Sequence, residues 1–391
     1  MVVTEQGVLP DGVPVPGRDA AGRAVVPTLG VEEEFLLVDR LTRAPVPRAG
    51  PVIEAASHAL GDLVQEEFYR CMVEVCTRPA TTATDVRSQL ALLRAAAAEA
   101  ARASGALLVA SGTAVVPPEA PIPVTDTSRY RRMARQFGAL VDGNLGIVCG
   151  CHVHIGTADR AQALFLVNHT RPWLPVLQAL TANSPFAGGV DTGFASWRCV
   201  EFGRWPTAEP APLLDSASYE ESAAALVASG ILMDRRMIYW FARPSEHQPT
   251  VEFRVADTNA DLDTTVLVAL LLRGLCATLL ARAEERRPPP PPDVSVPRLR
   301  DAHRYAAQYG PTGLALDPVT GGRVPARSLI TALVAAATPG LRAAGDEDEV
   351  HRLLGALRRK GTGAARQRAA LHRSGSLRAV VDHLADLTSC A

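Results

Sequence analysis

Residues 28–39 read TLGVEEEFLLVD, a run in which three consecutive glutamates interrupt an otherwise apolar segment. A carboxylate that is buried without a partner is costly, so each glutamate needs compensation if this segment is to fold. Alternate residues of a β-strand share a face. In a strand over residues 29–38, Glu32 and Glu34 therefore point to one side, and Glu33 points to the other side among apolar neighbours. The segment predicts a strand with one charged face and one apolar face.

Three further segments alternate in the same way. Glu74 lies between two valines in CMVEVC, Glu252 and Arg254 share a face in TVEFRV, and His152 and His154 share a face in CGCHVHIG. Stacked in one sheet, these charged faces would converge on a polar concavity while the apolar faces pack on helices. Converging carboxylates are stable when divalent cations lie between them, and hard oxygen ligands suit Mg²⁺ or Mn²⁺. We therefore expect metal, and through metal a nucleotide polyphosphate, to compensate the two glutamates on the charged face of the first strand.

Other interpretations of these patterns stay open at this point. A single acid in a strand most often lies on the solvated face of an antiparallel sheet. The cysteines and histidines of CGCHVH face opposite sides of one strand, which disfavours a single tetrahedral zinc site. An HxH pair also occurs in amidohydrolase barrels, where it follows an early strand rather than a central one. The chain has no Walker A loop and no GxGxxG sequence, so phosphates must be held in another way. The remaining histidines, among them His169 and His247, are expected to be solvated or capping residues.

The order of the predicted elements indicates an α+β fold in which a curved, mainly antiparallel sheet is covered by helices. Strands are expected over residues 29–38, 68–77, 106–112, 146–157 and 249–258. Helices are expected over residues 85–104 (with Asp85 as its cap), 159–183 with breaks at the prolines, 326–337, 346–360 and 376–387. The apolar run from Thr264 is interrupted by Arg273 and is short for a membrane span, so a buried helix is expected, with the arginine paired or at the rim.

Proline-rich segments suggest the domain boundaries. Residues 1–27 are rich in proline and glycine and are expected to form a flexible tail. The run PPPPPD at 288–293 cannot continue a helix and is typical of a surface connection. We therefore expect a catalytic body over residues 28–287 and a C-terminal helical part over residues 288–391 that packs on the same domain.

Composition excludes some classes of partner. The formal net charge is −1, so no global field attracts nucleic acid or an anionic membrane. The seven cysteines are scattered, without a CxxC motif, which favours reduced thiols and a cytoplasmic location. Small-molecule substrates are the expected partners, and a homodimer is left open.

Several long segments resemble the carboxylate–amine ligases of the glutamate–cysteine ligase type 2 family. They occur in the family's order over nearly the whole chain after residue 27, and they are LGVEEEFLLVD, MVEVCT, GCHVHIG, TANSPF, DTGFASWR, RPSEHQPTVEFRVADT and GTGAARQR. The resemblance implies a saddle-like antiparallel sheet related to glutamine synthetase and the guanidino kinases. It also implies ATP-dependent amide formation, in which ATP phosphorylates a carboxylate and an amine attacks the acyl phosphate. Glutamate and cysteine are typical substrates of the family, although substrates vary.

The same resemblance assigns roles to individual residues. Glu32 and Glu34 resemble ligands of the magnesium ions on the triphosphate and, with Arg254, the catalytic residues. The arginine also resembles a phosphate contact, and His152 a further cofactor contact. Arg198 and Ser196, in SWR, resemble binders of the acid substrate. The complete set of residues expected at the metal site is Glu32, Glu34, Glu67, Glu74, His152 and Glu252.

Some segments depart from the family pattern, namely CVEFGRWPTAEPAP after SWR, TADR after HVHIG, and RYAAQYG from Arg304. These departures leave the acid and the amine undefined, but they do not touch the segments assigned to ATP. Two alternatives remain at this stage. One is a metal-dependent amide hydrolase that uses the same face and needs no nucleotide. The other is a binding or regulatory protein, which the retention of four acids in the strands disfavours.

Overall fold

The computed structural model describes residues 26–141, 146–283 and 290–389. The predicted tail therefore lies outside the described residues except for its last two positions. Within the proline run, residues 290–293 are described and have no regular secondary structure.

The strands are short except for the first, and most of them belong to one sheet. They are β1 Leu29–Asp39, β2 Val64–Glu66, β3 Met72–Cys76, β4 Ala106–Val109, β5 Gly150–Gly156, β6 Phe186–Ala187, β7 Val190–Asp191, β8 Ala242–Pro244, β9 Thr250–Asp257, β10 Leu314–Leu316 and β11 Arg323–Pro325.

The helices before the proline run are α1 Ala49–Leu60, α2 Ala83–Ala103, α3 Ser128–Gln136, α4 Gly138–Val141, α5 Arg160–Thr170, α6 Leu174–Leu180, α7 Trp197–Phe202, α8 Ser216–Ala228 and α9 Leu262–Ala283. Those after it are α10 Val296–Tyr309, α11 Ala326–Ala344, α12 Glu347–Lys360, α13 Gly363–Ser374 and α14 Leu377–Ser389. Short 3₁₀ helices cover Gly61–Leu63, Arg171–Trp173 and Arg235–Met237.

The main sheet has seven strands in the order β2-β3-β1-β5-β9-β8, and β4 pairs with the far end of β1. All of its pairings are antiparallel. Helices α1, α2, α5, α6 and α9 contact its strands. The expected α+β class with an antiparallel sheet and covering helices is therefore confirmed.

The register of the sheet explains how distant segments reach one site. Glu34 lies opposite Glu74, Glu32 lies opposite His152, and His154 lies opposite Glu252. Directly opposed residues in an antiparallel pair share a face and lie close together. Alternation along each strand and register between strands therefore place all six side chains on one face.

The apolar faces form two cores. In the smaller one, Phe35 and Leu37 of β1 pack with Val73 and Val75 of β3 and with alanines and leucines of α1 and α2. The larger core includes the apolar residues of β5 and β9 together with most of α9. These contacts fix the strand orientation, because a shift of one residue would expose the whole apolar set.

The long helix α9 is the one candidate membrane span among the described residues by length and composition, but 89% of its most apolar window is buried in the molecule. Arg273 within it is fully buried and forms an ion pair with Asp346. The expectation of a buried helix with a paired arginine is confirmed.

Several strand and helix boundaries differ from the predicted ones. The strands predicted over residues 68–77 and 146–157 are shorter than expected. The expected cap Asp85 is wrong: the helix begins at Ala83, and the Thr82 side chain accepts a hydrogen bond from the Asp85 amide at 3.1 Å. Threonine in an extended conformation suits this position because its hydroxyl satisfies an otherwise unpaired amide.

Candidate active site

A cavity of about 480 Å³ opens on the charged face of the main sheet. One part of its wall carries carboxylates and histidines, a second part carries arginines, and a third is aromatic. The acids and histidines are Glu32, Glu34, Glu67, Glu74, Glu252, His152, His154 and His247, the arginines are Arg129, Arg198, Arg236, Arg243 and Arg254, and the aromatic residues are Phe68, Tyr130, Phe202, Trp205 and Tyr239.

The carboxylates lie close enough to share cations. Ligand atoms lie within 4.8 Å of one another in each of three groups, which are Glu32–Glu74–His152, Glu32–His154–Glu252 and Glu34–Glu67–Glu74. The groups overlap, so they form one continuous patch. Glu74 has no hydrogen bond or ion pair with another described side chain, whereas Glu34 accepts a hydrogen bond from the Gly150 amide at 2.5 Å.

Burial disfavours the ionised forms of several acids in this patch. It raises the pKa of Glu67 to about 7 and raises the pKa of Glu74 well above its usual value, and the neighbouring acids add to both shifts. Burial also raises the pKa of Glu34, although the Arg198 charge opposes the shift. A divalent cation would stabilise these three acids, because it would supply the opposite charge that their ionised forms lack in a largely buried position.

Histidines from the central strand compensate Glu32. Its carboxylate lies 3.2 Å from Nδ1 of His152 and 3.1 Å from Nε2 of His154. Burial acts to raise the pKa of Glu32, but the charge of His154 and the two histidine hydrogen bonds lower it overall. Burial lowers the pKa of His152 to about 4. Burial would also lower the pKa of His154, but the charge and hydrogen bond of Glu32 together with the charge of Glu252 raise it overall. A neutral imidazole is therefore favoured at His152, and a cationic one at His154.

Glu33 lies on the opposite face, as the alternation predicts. It is fully buried, and its carboxylate forms a two-point ion pair with Arg94 of α2 at 2.5 and 2.8 Å. The Thr265 hydroxyl donates a third hydrogen bond at 2.9 Å. This glutamate is therefore compensated within the core and has no access to the cavity.

Arginines lie at the other end of the carboxylate patch. Glu252 accepts hydrogen bonds from Nε of Arg243 at 2.8 Å and from Nη1 of Arg254. Although burial would raise the pKa of Glu252, the two guanidinium groups lower it well below its usual range. Unlike Glu67 and Glu74, Glu252 is already neutralised, and it fixes two guanidinium groups at the cavity wall.

The two residues expected to bind the acid substrate occupy different places. Arg198 on α7 lines the cavity, lies 5.1 Å above the Phe202 ring, and donates to the carbonyl oxygen of Arg254 at 3.3 Å. A Cβ atom at Gly150 would collide with its guanidinium, so glycine makes room for it. Ser196 is fully buried below the cavity wall: it caps α7, and its hydroxyl donates to Asp257 at 2.8 Å. The geometry gives Ser196 a positioning role for the helix that carries Arg198.

The structure adds residues to the predicted set. His154 alternates with His152, so the sequence carried a signal for it. Arg243 faces Glu252 through the pairing of β8 with β9, and a segment of three strand residues gives no such signal. Arg129 comes from α3, where an ion pair with Asp234 at 3.1 Å holds it.

Comparison with protein families and curated proteins identifies relatives over almost the whole chain. Residues 28–383 match the model of glutamate–cysteine ligase family 2. A protein from Salinispora arenicola named "Putative glutamate–cysteine ligase 2" is 45% identical over 368 residues, covering 92% of this chain and 95% of the relative. A protein from Mycobacterium sp. strain KMS with the name "Putative glutamate–cysteine ligase 2-2" is 44% identical over 369 residues, covering 93% and 99%.

Solved structures share the fold at low sequence identity. A glutamate–cysteine ligase from Francisella tularensis in complex with AMP has a TM-score of 0.70 at 13% identity, covering 96% of this chain and 90% of that one. A bifunctional glutathione synthetase from Pasteurella multocida has a TM-score of 0.68 at 15% identity, covering 93% and 52%. These similarities confirm the sheet architecture.

Proposed function

The chain belongs to glutamate–cysteine ligase family 2, a family of ATP-dependent carboxylate–amine ligases, and from this membership we propose that its cavity joins a small carboxylic acid to an amine through an acyl phosphate. The observation that carries the proposal is the division of one cavity into a patch of metal ligands and a set of arginines. Phosphoryl transfer needs positioning and charge neutralisation more than covalent chemistry, and these two groups supply both.

The residues present fit Mg²⁺ or Mn²⁺. Largely buried carboxylates with raised pKa values, one of which (Glu74) has no hydrogen bond or ion pair with another described side chain, are a donor set for hard cations. Glu32, Glu34, Glu67, Glu74, His152 and Glu252 would hold the ions, and His154 completes the second group. Bound there, the ions would neutralise the triphosphate and orient its terminal phosphate for transfer.

We assign the phosphate contacts to arginines fixed by Glu252. Arg254 is buried and pairs with Glu252, while its guanidinium lies 5.6 Å from the Tyr239 ring. Burial would lower the pKa of Arg254, but the charge and hydrogen bond of Glu252 together with the charge of Glu34 raise it overall, so the cation persists. A guanidinium held in this way meets the charge of the transferred phosphoryl group without reorganisation.

Arg198 is the proposed anchor of the acid substrate. Its planar fork can bind a carboxylate at two points, and Phe202 below it limits the orientations of the guanidinium. The reacting carboxylate oxygen attacks the terminal phosphorus and ADP leaves. The amine nitrogen then attacks the acyl carbon, phosphate leaves with the acyl oxygen, and the nitrogen loses a proton. We propose glutamate as the acid and cysteine or another amine as the acceptor.

The proposal is tested by incubating the full chain with ATP, Mg²⁺ and glutamate, with and without cysteine. We expect ADP release to depend on the acid, and mass spectrometry to detect the condensed product when the amine is present. A chelator or omission of nucleotide should stop product formation. Amide turnover without ATP would instead support the metal-dependent hydrolase, which the comparisons do not favour. A screen of other acids and amines would then define the preferred pair.

A further inference from the structure

A second cavity of about 740 Å³ lies behind α7, on the side away from the carboxylates. Arg198 on this helix lines the first cavity, whereas Trp197, Cys199 and Val200 line the second. Trp205 borders both. The two cavities are therefore separated by one short helix and the loop that follows it.

The walls of this second cavity are mainly apolar and aromatic. They come from α7, the loop after it, the residue before β8, and α10. The lining includes Trp197, Val200, Trp205, Pro210, Phe241 and His303. Three charged residues also line it: Arg300 forms an ion pair with Glu209, and Arg304 is the third.

His303 supplies a buried hydrogen-bond acceptor in these walls. The side-chain amide of Gln178 donates from Nε2 to the backbone oxygen of His303 at 3.0 Å, which fixes the orientation of that amide. The Gln178 Oε1 atom therefore faces Nδ1 of His303 at 2.6 Å and must accept its proton. With Nδ1 protonated, Nε2 of the neutral ring is a lone-pair acceptor.

That Nε2 atom has no hydrogen-bond partner among the described residues, and the His303 side chain is only 2% exposed. Burial lowers the pKa of His303 to about 3, in agreement with a neutral ring. An acceptor that is buried without a partner is destabilising, so a complementary molecule should bring a donor to this atom.

We propose that the second cavity binds a small aromatic molecule whose N–H or O–H group donates to Nε2 of His303. The ring would lie among Trp197, Trp205 and Phe241, where aromatic contacts add to the gain from apolar burial. Trp205 is shared with the first cavity, but no lining residue is among the proposed metal ligands, phosphate contacts or the acid anchor. This proposal therefore goes beyond the ligase activity and stands independently of it.

The test compares indole with 1-methylindole, which has the same aromatic body but no N–H donor. Binding to the full-length protein is measured by calorimetry and by saturation-transfer NMR. We expect indole to bind at least about tenfold more tightly, the equivalent of one lost hydrogen bond. Equal binding of the two probes, or no binding of indole at millimolar concentration, would overturn the proposal and leave water as the occupant.

A cavity-filling variant locates the binding. Val200→Trp places a large ring in the cavity from a half-buried position and leaves the contacts between His303 and Gln178 intact. Val190→Trp makes the same change at an exposed valine on β7 and serves as the control. Indole binding should be lost in the first variant and kept in the second. Unchanged binding in a folded Val200→Trp protein would place indole elsewhere and reject the assignment, and the probe comparison in the unmodified chain decides the question if that variant does not fold.

Discussion

The carboxylates of the three adjacent glutamates in β1 are compensated in three different ways. Glu32 is balanced by two histidines, and Glu33 is balanced by a guanidinium in the core. Glu34 accepts a hydrogen bond from the Gly150 amide and lies 3.8 Å from Nε2 of His152, and the charge of Arg198 offsets only part of the effect of its burial. Strand alternation therefore places Glu33 in the core, where it contributes to stability, and Glu32 and Glu34 at the cavity. Substitutions can separate these two roles.

We predict opposite effects for Glu32→Gln and Glu33→Gln. The first should nearly abolish ADP formation and leave the melting temperature almost unchanged, because glutamine can still hydrogen-bond the two histidines and the negative charge of Glu252 remains beside them. The second should lower the free energy of unfolding by about 3–5 kcal/mol, because it removes the charge that compensates Arg94. Thermal unfolding and ADP release are measured for both, and Glu34→Gln should behave like Glu32→Gln. Loss of catalysis in Glu33→Gln at an unchanged melting temperature would invert the face assignment.

The second residue-scale prediction concerns Arg198→Lys. Lysine keeps the charge but loses the planar fork, and a charge-assisted hydrogen bond is worth about 1.5–3 kcal/mol. The Michaelis constant for the acid should therefore rise by about one to two orders of magnitude, while the affinity for an ATP analogue stays nearly constant.

Arg204→Lys is the matched control, since Arg204 lies just after α7, pairs with Glu201 at 3.2 Å and does not line the cavity. It should leave both constants unchanged. If Arg198→Lys weakened the binding of the acid and of the ATP analogue equally, as measured by kinetics and calorimetry, Arg198 would act by holding α7 in place and not by anchoring the acid.

At the scale of elements, strand patterns predicted more of the site than any other signal. The alternation in β1, β3, β5 and β9 gave the shared face correctly, because period 2 is a property of each strand alone. Which residues lie opposite one another depends on register, and a single sequence does not encode that locally. For this reason Arg243, which reaches Glu252 only through the pairing of β8 with β9, was not predicted.

Helix ends and helix contacts were the less predictable part. Asp85 looked like a cap because it precedes an alanine-rich run, but Thr82 supplies the cap one turn earlier. Arg129 reaches the cavity from α3 through tertiary packing, for which the sequence carries no periodic signal. The sequence-based assignment of Glu32, Glu34, Glu67, Glu74, His152, Glu252 and Arg254 to metal and phosphate stays a prediction, although all of them line one cavity.

A pair of glycines tests how α9 and α11 pack. Gly340 of α11 lies so close to α9 that an added Cβ would collide with the carbonyl oxygen of Gly274 and lie 2.8 Å from Ala277. Gly340→Ala should therefore destabilise the protein by about 1–3 kcal/mol, as overpacking does. Gly355→Ala in α12, where the nearest atom is the Arg359 side chain at 3.5 Å, should stabilise it by up to about 1 kcal/mol through helix propensity. Denaturant unfolding of both variants checks the signs, and a neutral Gly340→Ala would mean that the two helices can move apart.

At the scale of the whole molecule, the chain after the proline run completes the core of the part before it. Leu333, Ala337 and Leu341 of α11 are fully buried in the same core as α9. Gln367 of α13 donates to the Asn183 backbone oxygen at 2.9 Å, and Thr388 near the end of α14 accepts from the Ala110 amide at 3.0 Å. These contacts suggest that residues 28–287 and 288–391 fold as one unit.

We therefore predict that a chain ending at residue 287 does not fold alone. Without the C-terminal part, Arg273 on α9 loses its buried partner Asp346 and the apolar side of the helix becomes exposed. An uncompensated buried charge alone costs about 3–5 kcal/mol, a large part of the 5–15 kcal/mol that holds a typical protein folded. The truncated chain should show no cooperative thermal transition by circular dichroism, whereas co-expression with residues 288–391 should restore one. In the full chain, Asp346→Asn should lower the melting temperature without changing the Michaelis constants, because the pair lies in the core and outside the cavity lining. Cooperative unfolding of the truncated chain by itself would show that the proline run separates two independent domains. The C-terminal helices would then not be needed to stabilise the sheet.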